Sequence, residues 1–546
     1  MAGIIWIRNG LATPLSDVPL LPLAGWRAAC VDTCASGARL AALTCLGGTD
    51  GTGDGAGGSA GDAAGPADIL AVLADDARGR VGLARTPIPA DRSYPALTTD
   101  LPQAQAFERE IFENHSIKPA GHPWLKPLRR HADLEAGARE SVAAAGAPHP
   151  FFRIEGPGIH EVAVGPVHAG VIEPGHFRFQ CHGENVLSLE IQLGYQHRGA
   201  EALLLRSAPA RRLAVAESIA GDTSIGHALV YCETMEALAG VEPPLAAQML
   251  RGVALELERL ANHVGDLGAL CNDVGYLPGA AWLGRLRGEF LNLLMEMSGN
   301  RFGRGLLIPG GARFGIPAGR RGAFLDRLAA AGRDLESTAA LVFDSPSVSA
   351  RFERAGALTR RDAELLGLVG PAARACGCDR DVRRDHPSGI YRYAHVPVSL
   401  VDTGDVMARA LVRRLETRRS LEFVRDRLEE MTEDPAAAGA PPAGTGPTPA
   451  VALPADSGST PAAGPLRVPL PTAGSSRLAV ALAEGWRGEI VHVAATGADG
   501  GLASYAIVDP SFHNWFGLAM AMREQPISDF PLCNKSFNLS YAGHDL

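Results

Sequence analysis

From residue 207 to residue 300, apolar positions recur at three- and four-residue intervals, as in Ala246, Ala247, Met249 and Leu250 followed by Leu255, Leu257 and Leu260. That period lays the apolar side chains along one helix face and predicts a bundle of long helices. Another helix is predicted from residue 403 to about 431, with Gly404-Asp405 near its start. Its Arg/Glu series from Arg409 to Glu430 reads as a solvated face or a subunit contact. Elsewhere the period shortens to two. Residues 172–190 alternate aromatic or apolar with polar, and Ile69-Leu70-Ala71-Val72-Leu73, Ile490-Val491-His492-Val493 and Tyr505-Ala506-Ile507-Val508 are β-prone runs. Two stretches have no period: 47–68, made of Gly, Asp, Ala, Thr and Ser, and 433–465, rich in Pro, Ala, Gly and Thr. Neither has enough apolar surface to offset the entropy of ordering it, and the second reads as an insertion. The predicted fold class is α+β, a small N-terminal α/β module followed by a large helical-bundle core with small peripheral β-sheets.

At 546 residues the chain exceeds what one compact core supports, so more than one domain is expected, divided as 1–145 and 150–546. A net charge of −9 without a long Lys/Arg run argues against nucleic acid as a partner. The opening MAGIIWIRNG lacks a secretory pattern, and no apolar stretch reaches the ~18 residues that a membrane span needs. Any work at a membrane would then depend on other subunits. The nine cysteines are scattered and form no C-x-x-C, which fits a reducing compartment. Cys376-Gly377-Cys378 has the wrong spacing for a chelating turn and no second Cys/His pair beside it. The glycines of 47–66 lack the helix and acidic residue of a dinucleotide fingerprint.

Residues 165–201, GPVHAGVIEPGHFRFQCHGENVLSLEIQLGYQHRGAE, concentrate His, Gly, Glu and Arg around a strand-forming run. This segment resembles the start of the large subunit of energy-converting nickel–iron hydrogenases and of the related 49-kDa-type subunit of respiratory complex I. Further blocks agree in order: Gly226-His227 to Glu233, Glu256 to His263, Pro309-Gly310-Gly311, Asp381 to Pro387, Gly404-Asp405-Val406, Arg487-Gly488-Glu489 and Pro510-Ser511-Phe512. The resemblance covers roughly residues 150–546. Upstream, Phe107 to Glu110 and Gly121 to Leu125 look like the end of the 30-kDa-type complex I subunit, fused as in formate-hydrogenlyase-type large subunits.

The resemblance implies four cysteine thiolates, in an early and a late C-x-x-C, to hold nickel and iron. Here those positions are Ala220, Thr223, Ser540 and Gly543. Hard, neutral hydroxyls do not replace thiolates on nickel, so no metal centre bound by this chain is expected. In the complex I subunit the same loss leaves the head of a quinone site. The resemblance therefore implies a quinone-type acceptor as substrate and an Fe–S cluster in a partner. The partners implied are a small 20-kDa-type Fe–S subunit, a ferredoxin-like subunit and complex I-like membrane subunits, on the cytoplasmic face of the cell membrane. A redox-inactive scaffold and a working hydrogenase are the alternatives, the latter opposed by the missing thiolates.

His168, His176 and Asp222 are the candidate catalytic residues, with Glu173, Gly221 and Thr223 lining the cavity. The histidines either pin their Gly/Pro-rich loop through backbone hydrogen bonds or supply protons. An acidic residue in the former ligand loop must face a polar cavity or pair with a base, and Asp222 is expected to orient a histidine. Glu201 is a candidate residual magnesium ligand, by resemblance. His227 and His263 read as core histidines, and Cys533 as a small buried apolar residue.

Overall fold

The computed structural model describes residues 3–47, 68–129, 149–168, 172–317, 319–431 and 466–546. Near the start, β1 (Ile5–Ile7) and β2 (Leu11–Pro14) are followed by helix α1 (Leu23–Ala35), then β3 (Arg39–Leu46), β4 (Asp68–Asp75) and β5 (Arg80–Pro87). The antiparallel sheet has the order β1-β5-β4-β3. The 69–73 run forms the middle of β4, buried throughout. Helix α2 (Gln105–His115) carries Glu108, which accepts the backbone N–H of Leu97 (2.7 Å) and Thr98 (3.0 Å) and so fixes the turn preceding it.

A second antiparallel sheet, of order β8-β7-β6, comprises β6 (Ile159–Val164), β7 (His176–His182) and β8 (Asn185–Gln192). The predicted bundle follows: α3 (Ser224–Ala239), α4 (Leu245–Asp273), α5 (Leu277–Ser298), α6 (Arg321–Phe343) and α7 (Val406–Glu430). The 29-residue α4 is its axis, buried on nearly every side, as its largely uninterrupted run of buried residues requires. Gly252 lets the 389–392 turn approach, since a Cβ there would lie 2.5 Å from Ile390. Polar residues on α7 correct the expectation of a solvated face. Arg409, Arg413 and Glu416 are buried, Arg413 pairing with Asp266 (2.8 Å) and Glu416 with Arg374 (2.8 Å) and His263 (2.8 Å). The expected solvated face is confined to the rest of the series, where Arg418, Arg419, Glu422, Arg425, Glu429 and Glu430 are exposed. A charge pattern alone does not separate a solvated stripe from a paired, buried one.

The last sheet, β9 (Arg477–Gly485), β10 (Gly488–Thr496) and β11 (Leu502–Val508), takes β2 as its fourth strand, in the order β11-β10-β9-β2. Leu11 faces Val480 and Pro14 faces Arg477 across the antiparallel pair. On β9 the small residues Ala479, Ala481 and Ala483 pack with the helices, while the alternate Leu478, Val480 and Leu482 pack with the N-terminal module. Both faces are therefore dry, and residues from the two ends of the chain share one core. Helices α8 (Pro510–Ala521), α9 (Phe530–Phe537) and α10 (Tyr541–Asp545) complete the chain's described part. The 433–465 stretch, and 47–68 apart from its end residues, lie outside the described residues. Among the described residues, no helix is long and apolar enough to cross a membrane.

Candidate functional site

Ala220 and Thr223 lie just before α3, and Ser540 and Gly543 lie at the start of α10. Arg198 joins the two regions by donating to the carbonyls of Ser218 (2.6 Å), Ile219 (2.8 Å) and Ala542 (3.0 Å). None of the four positions carries a thiol, and their surroundings are already committed. The Thr223 hydroxyl accepts from Trp486 Nε1 (3.1 Å) and Arg487 Nη1 (3.2 Å). The Ser540 hydroxyl caps α10 by accepting the Gly543 N–H at 2.9 Å. A Cβ on Gly543 would lie 2.6 Å from the carboxyl carbon of Asp509.

Arg487 organises this region. Its two terminal nitrogens grip the Asp222 carboxylate at 2.6 and 2.8 Å, and its Nε donates to the Asn538 carbonyl at 2.5 Å. Burial raises the proton affinity of Asp222, but the charge and hydrogen bonds of Arg487 outweigh it and hold the carboxyl below its usual range. Asp222 therefore pairs with an arginine. Neither His168 nor His176 is hydrogen-bonded to it, which corrects the expectation that it orients a histidine. Gly221 is exposed beside it, and the Asp222 side chain is one-third exposed.

The two loop histidines pin their loop through backbone carbonyls, the first of the two roles open to them. His168 Nε2 donates to the Gly175 carbonyl and His176 Nδ1 to that of Gly165, each at 3.0 Å. In the neutral ring His176 Nε2 is thus left as an acceptor, and it is buried without a partner among the described residues. Burial holds the proton affinity of His176 below the usual histidine range. Between them, the Glu173 carboxylate accepts the N–H groups of Tyr541 (3.2 Å) and Ala542 (3.4 Å), docking the loop on α10. Burial raises its proton affinity despite the opposing charge of Arg487.

A chain of buried groups leads inward from Asp509. Its carboxylate meets His227 Nε2 at 3.0 Å, His227 Nδ1 meets His492 Nε2 at 3.2 Å, and His492 Nδ1 meets the Tyr505 hydroxyl at 2.8 Å. Burial raises the proton affinity of Asp509, but its bond to His227 prevails and keeps it an anion, while burial keeps His492 neutral. Tyr505, His492, His227 and Asp509 thus form one continuous hydrogen-bonded chain. Sequence reasoning took His227 as a core residue and assigned no role to Arg487, Asp509, His492 or Tyr505. Arg487 and Asp509 lie in or beside the quoted blocks Arg487-Gly488-Glu489 and Pro510-Ser511-Phe512, which was the available signal.

Glu201 accepts the Ile507 N–H at 2.8 Å and lies near Glu110 and Arg129. Burial, with the like charge of Glu110, pushes its carboxyl up to about 8. Among the described residues no group of three or more His, Cys, Asp or Glu is arranged to hold a metal ion.

The family model described as "Respiratory-chain NADH dehydrogenase, 49 Kd subunit" matches residues 273–545. The carbon monoxide-induced hydrogenase of Rhodospirillum rubrum is 29% identical over 382 residues, covering 69% of this chain and 97% of the relative. Formate hydrogenlyase subunit 5 of Escherichia coli (strain K12) is 27% identical over 467 residues, 83% of this chain and 77% of the relative. A chain from the structure of the membrane-bound sulfane sulfur reductase, an archaeal respiratory membrane complex, superposes with a TM-score of 0.62 at 22% identity. That match covers 71% of this chain and 98% of the other, and it establishes the fold.

Proposed function

Because the chain belongs to the family of the respiratory-chain NADH dehydrogenase 49 Kd subunit, we propose that its former ligand loops, with residues 165–168 and 172–175, enclose the site of a quinone-type acceptor. The chain is an oxidoreductase subunit of a membrane-associated, complex I-like assembly and acts within that complex. Electrons would reach the site from an Fe–S cluster in a small 20-kDa-type partner, supplied through a ferredoxin-like subunit. Complex I-like membrane subunits would hold the assembly on the cytoplasmic face. The strongly exposed Val167 and Ile172 on the site's loop suit burial against such a partner.

The observation that carries this reading is Arg487, a buried guanidinium set among the positions where thiolates are missing. Reducing a quinone adds two electrons and two protons, and a fixed cation favours the negative charge that develops on its oxygens. The hydrogen-bonded chain of Tyr505, His492, His227 and Asp509 would carry one proton toward the site. His176, once protonated on Nε2, is the candidate donor of the other. The four vacated positions do not fit a nickel–iron centre. They offer no thiolate, and Asp509 fills the space that a side chain at position 543 needs.

A redox-inactive scaffold is the second reading, favoured by the spending of both loop histidines on backbone carbonyls. Arg487→Met in the purified complex separates the two. Quinone-linked turnover should fall at least about tenfold, ~1.4 kcal/mol of barrier, with the Fe–S spectrum unchanged and Arg487→Lys keeping part of the rate. Full turnover in Arg487→Met with native clusters would leave the scaffold.

A further inference from the structure

A cavity of about 310 Å³ lies away from this site, between the start of β2, the second half of α3, the first turns of α4 and the 388–392 turn. None of the residues around Arg487 lines it. Its size is at the small end of pockets that hold small molecules. Most of its charged side chains neutralise one another. Glu236 and Arg251 form a bidentate pair at 2.6 and 3.0 Å, and Arg392 meets Glu242 at 3.3 Å. Among the described residues one carboxylate and one guanidinium of the lining remain outside an ion pair, those of Glu233 and Arg477.

Three buried polar atoms on residues lining this cavity have no hydrogen-bond partner among the described residues: Glu233 Oε2, Gln248 Oε1 and Arg477 Nε. Gln248 is 6% exposed, and its amide nitrogen is committed to the Pro243 carbonyl at 2.8 Å, so its oxygen is the free end. Arg477 spends Nη2 on the Ala12 carbonyl at 3.0 Å. Buried polar atoms are normally paired, so three unpaired ones on residues that line one cavity mark a place for a complementary group. Two are acceptors, one of them a carboxylate oxygen, and the third is a cationic donor.

We propose that this cavity binds a small zwitterion, its ammonium group held by Glu233 and Gln248 and its carboxylate by Arg477. A primary ammonium has three N–H donors and can satisfy both acceptors, while a carboxylate accepts from guanidinium nitrogen. The net charge of zero matches the one cation and one anion left unpaired. Burial pushes the Glu233 carboxyl up to about 7, opposed by its bond to Ser388 and the nearby Arg251 and Arg392, and reinforced by Glu236. Pairing with an ammonium requires the ionised form, so affinity should weaken as pH falls below that value.

The test is calorimetric titration of the purified complex with ω-amino acids from glycine to 6-aminohexanoate, beside alkylammonium and alkanoate ions of equal length. One chain length should bind one per chain, at least about tenfold tighter than either singly charged analogue. The near-isosteric Glu233→Gln and the cavity-edge Arg477→Met should each weaken it about tenfold, with thermal melts showing both variants folded. Failure of every amino acid to bind would overturn the proposal, as would equal binding to both variants or ordered water alone at the three atoms. Quinone-linked turnover should be unchanged in Glu233→Gln, so this proposal and the quinone reading fail independently.

Discussion

Glu258 has two tasks on α4 that conflict electrostatically. Its carboxylate accepts the N–H groups of Ile225 (2.7 Å) and Gly226 (3.1 Å) in the first turn of α3, which favours the anion. It is also 4% exposed, and burial prevails, with Asp222 adding to it, so the carboxyl is pushed up to about 8. A carboxyl whose folded value lies above its unfolded value of roughly 4.3 stabilises the fold fully below that pH. The contribution is lost as pH rises toward about 8, because the folded state must then either keep a proton or bury a charge. Urea midpoints measured from pH 4 to pH 9 should therefore fall less steeply for Glu258→Gln than for the wild type, with the curves approaching each other at the acid end. Parallel curves would mean that Glu258 is ionised in the folded chain.

At the scale of elements, the start of α10 is where loss of the metal ligands has become structural. Ser540 caps the helix, Glu173 accepts two of its first N–H groups, and Asp509 fills the space beside Gly543. Asp509 is itself fixed by His227 and by the Ser511 N–H at 2.8 Å. Gly543→Ala should consequently destabilise the chain by ~1–3 kcal/mol, the usual cost of overpacking, read as a lower thermal midpoint. Restoring cysteine at 220, 223, 540 and 543 together should not restore nickel binding unless Asp509 is also shortened. Metal analysis after expression with nickel-maturation machinery checks this, and stoichiometric nickel in the four-cysteine variant would refute it.

For the whole molecule, the key connection is β2 crossing from the N-terminal module into the C-terminal sheet. Asn9, just before it, donates to the carbonyls of His386 (2.6 Å) and Leu482 (2.8 Å) and accepts the Leu482 N–H (2.8 Å). Arg39 bridges Asp76 of the module to Glu489 of β10. Removing residues 1–148 would open the β9 edge and expose Leu478, Val480 and Leu482. The shortened chain should aggregate when expressed alone and become soluble when residues 1–148 are co-expressed. A monodisperse, cooperatively melting 149–546 fragment would show that the two parts fold separately.

The sequence by itself determined the helices, because the recurrence of apolar residues at three- and four-residue intervals is a local property, and the long windows that show it between 207 and 300 became α3, α4 and α5. It also determined the strand runs of β4, β10 and β11, and, through resemblance, the four positions without thiolates. It did not reveal that β9 and β10 are covered on both faces, since a run apolar on both sides does not say what covers each. Nor did it separate the buried arginines of α7 from the solvated ones, because burial depends on whether Asp266 and Glu416 arrive opposite. The site was legible as two loops but not as chemistry. Asp222 and Arg487 are 265 positions apart, as are His227 and His492. Ion pairs and hydrogen-bonded chains of that separation leave no periodic trace, and only the packing of the last sheet against α3 brings their members within reach.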